Sequence, residues 1–176
     1  MRDDDRAAEY VEFVRVHRDG LVRAAVLLCA GDEAAAEDIV QITLTRIFLA
    51  WPRVRRARNP LAYARTSLTH VFVDESRRAH RRRETIVADP ATNHDVGGGE
   101  ARTGELRMVV LDALAALGPR QRAVVVLRHW YDLDVAQTAR ILGCSTGTVK
   151  SQNARALAHL RAALATADLQ GQGAVP

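Results

Sequence analysis

Short polar and basic side chains are concentrated at the start of one predicted helix, directly after Ser145. Gln152 and Ser151 are suited to base edges, because a glutamine amide can pair with adenine at two points and a hydroxyl can adapt. Basic side chains are suited to DNA phosphates, which fix the register of a protein on the duplex. The predicted chemistry is therefore recognition of DNA. The candidate residues are Thr146, Thr148, Lys150, Ser151, Gln152 and Arg155, with Arg120 and Arg122 on the helix that precedes the pair.

Two short helices joined by a tight turn, within residues 134–155, must position these side chains. Gly143 is placed where the first helix has to end in a left-handed conformation. Ser145 is placed where the second helix needs a cap. Helical hairpins with glycine turns also occur in bundles that bind nothing, so this pattern alone leaves both interpretations open. The apolar stripes of the two helices are Val135, Ala139 and Leu142, then Val149, Ala156 and Leu160.

Charge is divided sharply along the 176-residue chain, although the net charge is only +4. Residues 53–83 hold ten arginines against two acidic residues, and residues 119–164 hold seven basic against two acidic residues. Residues 84–118, between these blocks, are acidic. Two separate basic blocks predict two separate contacts with a polyanion. A merely arginine-rich composition is the alternative, and it accounts poorly for the segregation of the acids.

The periodicity of apolar residues predicts an all-α fold with two small helical domains, at 6–83 and 104–165. Residues 84–103, rich in turn formers and without periodicity, predict a flexible linker. In the first domain we expect a helical pair broken near Gly20, then a long helix that Pro52 ends. Asn59 and Pro60 predict the start of a helix that runs to about Arg82. In the second domain we expect a helix from about Glu105, another over 120–131, and frayed last residues.

Several classes of protein are disfavoured by the sequence. The six histidines have no metal-ligand spacing, so neither a metal nor another cofactor is expected. The glycine run 97–99 lacks the strand and the Lys-Thr/Ser pair that accompany a phosphate loop. Glu37 and Asp38 are adjacent and point to different helix faces, so they cannot act as a catalytic carboxylate pair. No catalytic residues are identified, so an enzyme is not expected. Cys29 and Cys144 are too few for a disulfide framework, which favours a reducing compartment, and Cys144 is interpreted as a small packed residue. No signal peptide or membrane span is predicted.

The order of several motifs along residues 8–165 resembles the extracytoplasmic-function (ECF) sigma factors of bacterial RNA polymerase, of the SigE-like actinobacterial type. The segment 36–48 resembles the family's core-binding helix, and 59–78 resembles its promoter-melting segment. The segment 117–122 resembles the opening of region four, and 147–157 resembles its recognition helix. The resemblance implies an alternative sigma factor in the cytoplasm. Such a protein binds core polymerase and directs promoter recognition, DNA melting and transcription initiation.

The resemblance also assigns surfaces. Asp38, Gln41 and Thr45 form a polar stripe at helical spacing, which would meet the clamp helices of the largest polymerase subunit. The second domain would read the minus-thirty-five element and lie on the beta-subunit flap. An anti-sigma factor is a further partner that the family often uses. Residues implied at the minus-ten element are Thr69, His70, Phe72, Arg77, Arg78, Arg81 and Arg82.

Three questions stay open at the level of sequence. Without the resemblance, the polar stripe of Asp38, Gln41 and Thr45 is more simply interpreted as an ordinary solvated face. His70 stands where many relatives carry an asparagine; it either contacts an unpaired base or is a structural histidine. The rival functions are a free-standing helix-turn-helix regulator that acts without polymerase and, more remotely, a site-specific recombinase. Binding to core polymerase separates these functions.

Overall fold

The computed structural model describes residues 3–85 and 101–172, with side chains described for 5–82 and 104–166. The described backbone is helical, with no strand, and the chain divides into two compact units at Ala88 and Asp89. The predicted all-α, two-domain fold is confirmed. Most of the predicted linker lies outside the described residues, but its edges are helical, because the flanking helices extend to Thr85 and begin at Ala101.

The N-terminal unit contains three packed helices and one short helical turn. Its elements are α1 (Asp3–Leu28), α2 (Glu33–Leu49), α3 (Trp51–Val54) and α4 (Pro60–Thr85). Helices α1, α2 and α4 all contact one another. The predicted stripe of α2 is confirmed as part of the core, because Val40, Leu44, Ile47 and the following Trp51 are all buried. Burial of these apolar side chains is the main source of the unit's stability.

Two boundaries in the N-terminal unit differ from the prediction. Helix α1 continues through Gly20 without a break. A glycine inside a helix costs about 0.5–1 kcal/mol, whereas burial of a side chain such as Leu21 contributes about 1.5–3 kcal/mol. Helix α2 ends at Leu49, and Pro52 does not end a helix but lies in the first turn of the next one, α3. At that position the missing N–H of proline would have no helical partner in any case. The cap at Asn59 is confirmed, since its Oδ1 accepts from the backbone N–H of Ala62 at 2.9 Å.

The C-terminal unit packs four α-helices and a short π-helical turn. Its elements are α5 (Ala101–Ala115), α6 (Pro119–Val125), the π-turn (Val126–Trp130), α7 (Val135–Leu142) and α8 (Thr146–Gln172). The predicted helix over 120–131 is therefore α-helical only in its first half. Helices α5, α6 and α7 all contact α8, which extends to Gln172, into the residues predicted to be frayed. The recognition segment is the start of a long helix held on several sides.

Candidate functional site

Local hydrogen bonds build the helix-turn-helix. Asp134 caps α7, since its carboxylate accepts from the Gln137 N–H at 2.7 Å while the Gln137 side chain accepts from the Asp134 N–H at 2.9 Å. Gly143 ends α7 with φ 60° and ψ 43°, the left-handed conformation that the sequence predicts. The Ser145 hydroxyl accepts from the Thr148 N–H at 3.0 Å, which confirms the second cap.

A small apolar core fixes α7 against α8 and α6. Val124, Ala139 and Val149 are buried in this cluster, and Val135, Leu142 and Cys144 pack against it. Cys144 is a free thiol that is partly buried here, in agreement with its interpretation as a packed residue. Because this core holds the underside of α8, the opposite side of its first two turns faces outward.

The residues predicted to bind the minus-thirty-five element fall into two classes of exposure. The exposed side chains are Arg120, Thr146, Lys150, Ser151 and Arg155. The half-buried side chains are Arg122, Thr148 and Gln152. Arg120 and Arg122 lie on α6, and all the other candidates lie in the first three turns of α8. The structure thus brings together the candidate residues of α8 as one polar surface.

Hydrogen bonds within α8 limit what each polar group can offer to DNA. The Ser151 hydroxyl donates to the Thr148 carbonyl at 3.0 Å, so only its lone pairs remain to accept from a base amino group. The Thr148 hydroxyl lies 2.9 Å from the Ser145 hydroxyl and belongs to the cap. Within the described part of the chain, the Gln152 amide makes no hydrogen bond, so both its donor and its acceptor are free. Of Thr148, Ser151 and Gln152, Gln152 therefore has the largest unused hydrogen-bonding capacity.

Sequence reasoning missed a polar pair that links the π-turn to α8. His129 Nε2 and Asn153 Oδ1 are 2.9 Å apart, although 24 positions separate the two residues. Asn153 lies four residues after Val149 and three before Ala156, on the stripe that otherwise faces the core. A polar residue at an apolar helical position was the available signal, but the sequence did not indicate its partner.

The C-terminal half of α4 carries an exposed arginine surface. Arg77, Arg78, Arg81 and Arg82 are all exposed, as the predicted phosphate contact requires. Arg78 forms an ion pair with Glu75 at 2.5 Å, one turn earlier in the helix. At exposed positions such a pair contributes little to stability, so it competes only weakly with a phosphate.

Two of the residues predicted at the minus-ten element are in the core of the N-terminal unit. Thr69 is 0% and Phe72 is 4% exposed. The Thr69 hydroxyl donates to the Arg65 carbonyl at 3.0 Å. His70 lies between them and is exposed, because consecutive residues of a helix point about 100° apart. From inside the core, Thr69 and Phe72 support the α4 face that carries His70.

The polar stripe on α2 is exposed over its full length, at Asp38, Gln41 and Thr45. Gln41 is held in place by Glu37, whose Oε1 accepts from the Gln41 side-chain amide at 2.7 Å and from Arg18 of α1 at 2.5 Å. These hydrogen bonds, that from Gln41 foremost, favour the carboxylate and lower the pKa of Glu37. Through Gln41, the stripe is thus connected to a charged network that joins α1 to α2.

The described residues contain neither a cluster of three or more His, Cys, Asp or Glu side chains suited to a metal ion nor a helix long and apolar enough to cross a membrane. The residues predicted from the sequence to bind DNA or polymerase lie at α2, α4, α6 and α8.

Comparison with known proteins identifies both units. The sigma-70 region 2 family model matches residues 13–82, and the sigma-70 region 4 model matches residues 107–160. RNA polymerase sigma-E factor of Streptomyces avermitilis is 35% identical over 93% of this chain and 89% of its own length. ECF RNA polymerase sigma factor SigL of Mycobacterium tuberculosis is 36% identical over 84% of both chains.

A solved structure has the same fold. The sigma factor RpoE of Bartonella quintana, crystallised with the anti-sigma factor NepR, aligns with a TM-score of 0.67. The alignment covers 89% of this chain and 96% of that one, at 23% sequence identity. With two family models in the expected order and relatives matched along most of their length, the chain belongs to the sigma-70 family, in its group of ECF RNA polymerase sigma factors.

Proposed function

We propose that the two units divide the work of an alternative sigma factor, with polymerase docking and DNA opening in the first and sequence reading mainly in the second. The observation that carries this proposal is the capped start of α8, where the unpaired Gln152 amide lies among exposed polar and basic side chains. This arrangement suits entry into a major groove, whose base edges present distinct patterns of donors and acceptors.

At the minus-thirty-five element, Gln152 and Ser151 read base edges while Lys150 and Arg155 hold phosphates. Ser151 is limited to accepting, because its hydroxyl proton is bonded to the Thr148 carbonyl. The long cationic side chains of Lys150 and Arg155 are exposed, and neither forms an ion pair within the described residues. Arg120 and Arg122 supply further phosphate contacts from the start of α6, and the same unit rests on the beta-subunit flap.

At the minus-ten element, the exposed arginines of α4 attract the phosphates, and His70 meets the DNA strand as it opens. Arginines contacting phosphates carry no base information, but they position the strand. Extraction of a base costs a few kcal/mol, which stacking and edge hydrogen bonds repay. Thr69 and Phe72 hold this face from inside the core.

Core polymerase docks on α2 through Asp38, Gln41 and Thr45, which meet the clamp helices of the largest subunit. The Arg18–Glu37–Gln41 network holds the Gln41 side chain ready before contact, so less side-chain entropy is lost on docking. An anti-sigma factor that covers α2 and α8 would block both polymerase and promoter. The chain itself performs no catalysis and acts in the cytoplasm, where the polymerase supplies the chemistry.

A free-standing helix-turn-helix regulator is the alternative, and the N-terminal unit argues against it. A regulator that needs only α7 and α8 has no use for a second folded unit with its own charged network and arginine surface. A site-specific recombinase is disfavoured because both units match sigma-70 family models.

Reconstitution with core polymerase tests the proposal directly. The purified chain should bind core enzyme stoichiometrically without DNA, and the holoenzyme should initiate at a discrete set of promoters when start sites are mapped across genomic DNA. A chain that binds specific DNA alone but does not bind core enzyme would establish the free-standing regulator instead.

A further inference from the structure

One position on the inward stripe of α8 is polar. Val149 and Ala156 are both fully buried, and Asn153 lies between them at helical spacing, half-buried. An apolar side chain would be the ordinary occupant of such a position, since a polar group removed from water costs free energy unless it is hydrogen-bonded. Asn153 Oδ1 lies 2.9 Å from Nε2 of His129, an exposed side chain on another element.

The π-turn that carries His129 is itself fixed by hydrogen bonds. The Tyr131 N–H donates to the Val126 carbonyl at 3.0 Å, the wide pairing of a π-helix. The Arg128 guanidinium donates to the Leu133 carbonyl. Asp132 follows with φ 51°, an uncommon conformation for a residue other than glycine. Wide helical turns of this kind are frequent at functional sites.

We propose that His129 is a positioning residue for promoter recognition: by holding Asn153, it fixes the rotation of α8 and thereby the direction of Gln152. This inference rests on the proposed reading of the minus-thirty-five element by Gln152. Neither His129 nor Asn153 needs to touch DNA in this role.

The geometry explains why a hydrogen bond serves here better than apolar packing. A rotation of α8 by about 20° moves a side-chain tip about 2 Å, at the roughly 5–6 Å outer radius of a helix. Hydrogen bonds to a base edge tolerate only a few tenths of an ångström around about 2.9 Å. An apolar pair can slide through such a rotation at little cost, whereas the directional bond between His129 and Asn153 opposes it.

The hydrogen bond also fixes the protonation site of the histidine. Asn153 Oδ1 can only accept, so His129 Nε2 carries the proton and, in the neutral ring, Nδ1 does not. Nitrogen NMR of the full chain should show His129 as the Nε2–H tautomer, and Asn153→Leu should remove this preference. A neutral His129 whose tautomer does not change on Asn153→Leu would overturn the proposed bond.

The decisive experiment uses holoenzyme reconstituted with the full chain and a library of minus-thirty-five sequences. The variants are His129→Gln, which keeps an amide donor, and the double change His129→Phe with Asn153→Leu, which replaces the pair with apolar side chains. We expect the double variant to keep its melting temperature but to lose about tenfold of its discrimination at the base that Gln152 reads. His129→Gln should retain most of that discrimination.

The outcomes separate this inference from the proposal on which it rests. A double variant that keeps both its melting temperature and its discrimination shows that the pair only packs, and overturns the positioning role. Equal loss in the double variant and in His129→Gln also overturns it. If the unaltered chain shows no preference in the library, the proposed sequence reading by α8 fails first.

Discussion

The two units present their polar side chains in different ways. The N-terminal unit contains ion pairs that join separate elements: Glu37 on α2 binds Arg18 on α1, and Arg55 binds Glu9 of α1 at 2.6 Å. In the C-terminal unit, the polar groups around the turn are bonded within three residues, as Ser145 is to Thr148.

This difference separates two kinds of interface. A charged network across helices steers a partner and fixes register, and its contribution weakens as salt is added. Locally capped, uncharged groups keep their directions regardless of salt, as the reading of base edges requires. We therefore expect the N-terminal unit to control assembly and its salt dependence, and the C-terminal unit to control sequence preference.

Charge reversal on the α2 stripe should have the largest effect. Asp38→Arg combined with Gln41→Arg should lower the affinity for core polymerase about 100-fold or more, because it removes an acidic and an amide group from the docking surface and replaces them with two long cations. Both side chains are exposed, so the free energy of unfolding should change by no more than about 0.5 kcal/mol. Fluorescence anisotropy with labelled core enzyme measures the affinity.

The control is Asp19→Arg, an equally exposed change on α1. It should leave polymerase binding nearly unchanged. If the double variant assembles holoenzyme as tightly as the original chain, the stripe is an ordinary solvated face, and the contrast between the two units loses its first half.

Neutralising Arg77, Arg78 and Arg81 of α4 should have the next largest effect. Each lost phosphate contact should reduce the slope of log affinity against log salt by up to about 0.9. Open-complex formation should fall by a factor of about ten or more on a fully duplex promoter, and by less on a promoter with a pre-melted bubble. Equal losses on both templates would reduce these arginines to plain anchors with no part in opening.

Helix caps could be read from the sequence because they depend on neighbouring residues. The side chains of Asn59 and Ser145 and the left-handed Gly143 all occur as predicted. Gly20 was misread, because tertiary packing outweighs the small helical cost of glycine. Local signals identify where a helix begins and ends far better than whether it continues.

The candidate site was predictable in identity but not in exposure. The family resemblance indicates which residues of α4 are candidates, but it does not show which face of the helix is buried. In the structure, Thr69 and Phe72 are core residues. The π-turn has no sequence signature distinct from a helix. The pairing of His129 with Asn153 joins distant positions, so only the folded chain shows it.

Gln152→Ala tests the second half of the contrast, with an expected cost of about 1–3 kcal/mol on the preferred minus-thirty-five sequence. The preference should relax at one base position only, because one amide is removed. Lys150→Ala is the matched control on the same helix, and it should weaken binding to all sequences alike. A promoter-library selection with both variants decides. A sequence preference altered by Lys150→Ala and not by Gln152→Ala would reverse the assignment of reader and anchor.

The smallest expected effect concerns pH and the network behind the α2 stripe. The pKa of Glu37 lies below its ordinary value of 4.5, so its ionised form stabilises the folded state above that pH. This contribution is lost as the pH falls below about 4.5 through the lowered pKa of the folded state. Because Glu37 and its ion-pair partner Arg18 are both partly exposed, the change in the free energy of unfolding should not exceed about 1 kcal/mol.

Thermal unfolding between pH 3 and 6 measures the contribution of the Glu37 carboxylate to stability. Glu37→Gln should make the melting temperature less dependent on pH in this range. Glu12 is the matched comparison, since Arg15 lowers the pKa of its carboxyl as well, but this pair is exposed on α1 and has no contact with the stripe. At neutral pH, Glu37→Gln should weaken core-polymerase binding a fewfold through the released Gln41, whereas Glu12→Gln should not. Equal behaviour of the two variants would show that the cross-helix network does not prepare the docking surface for core polymerase.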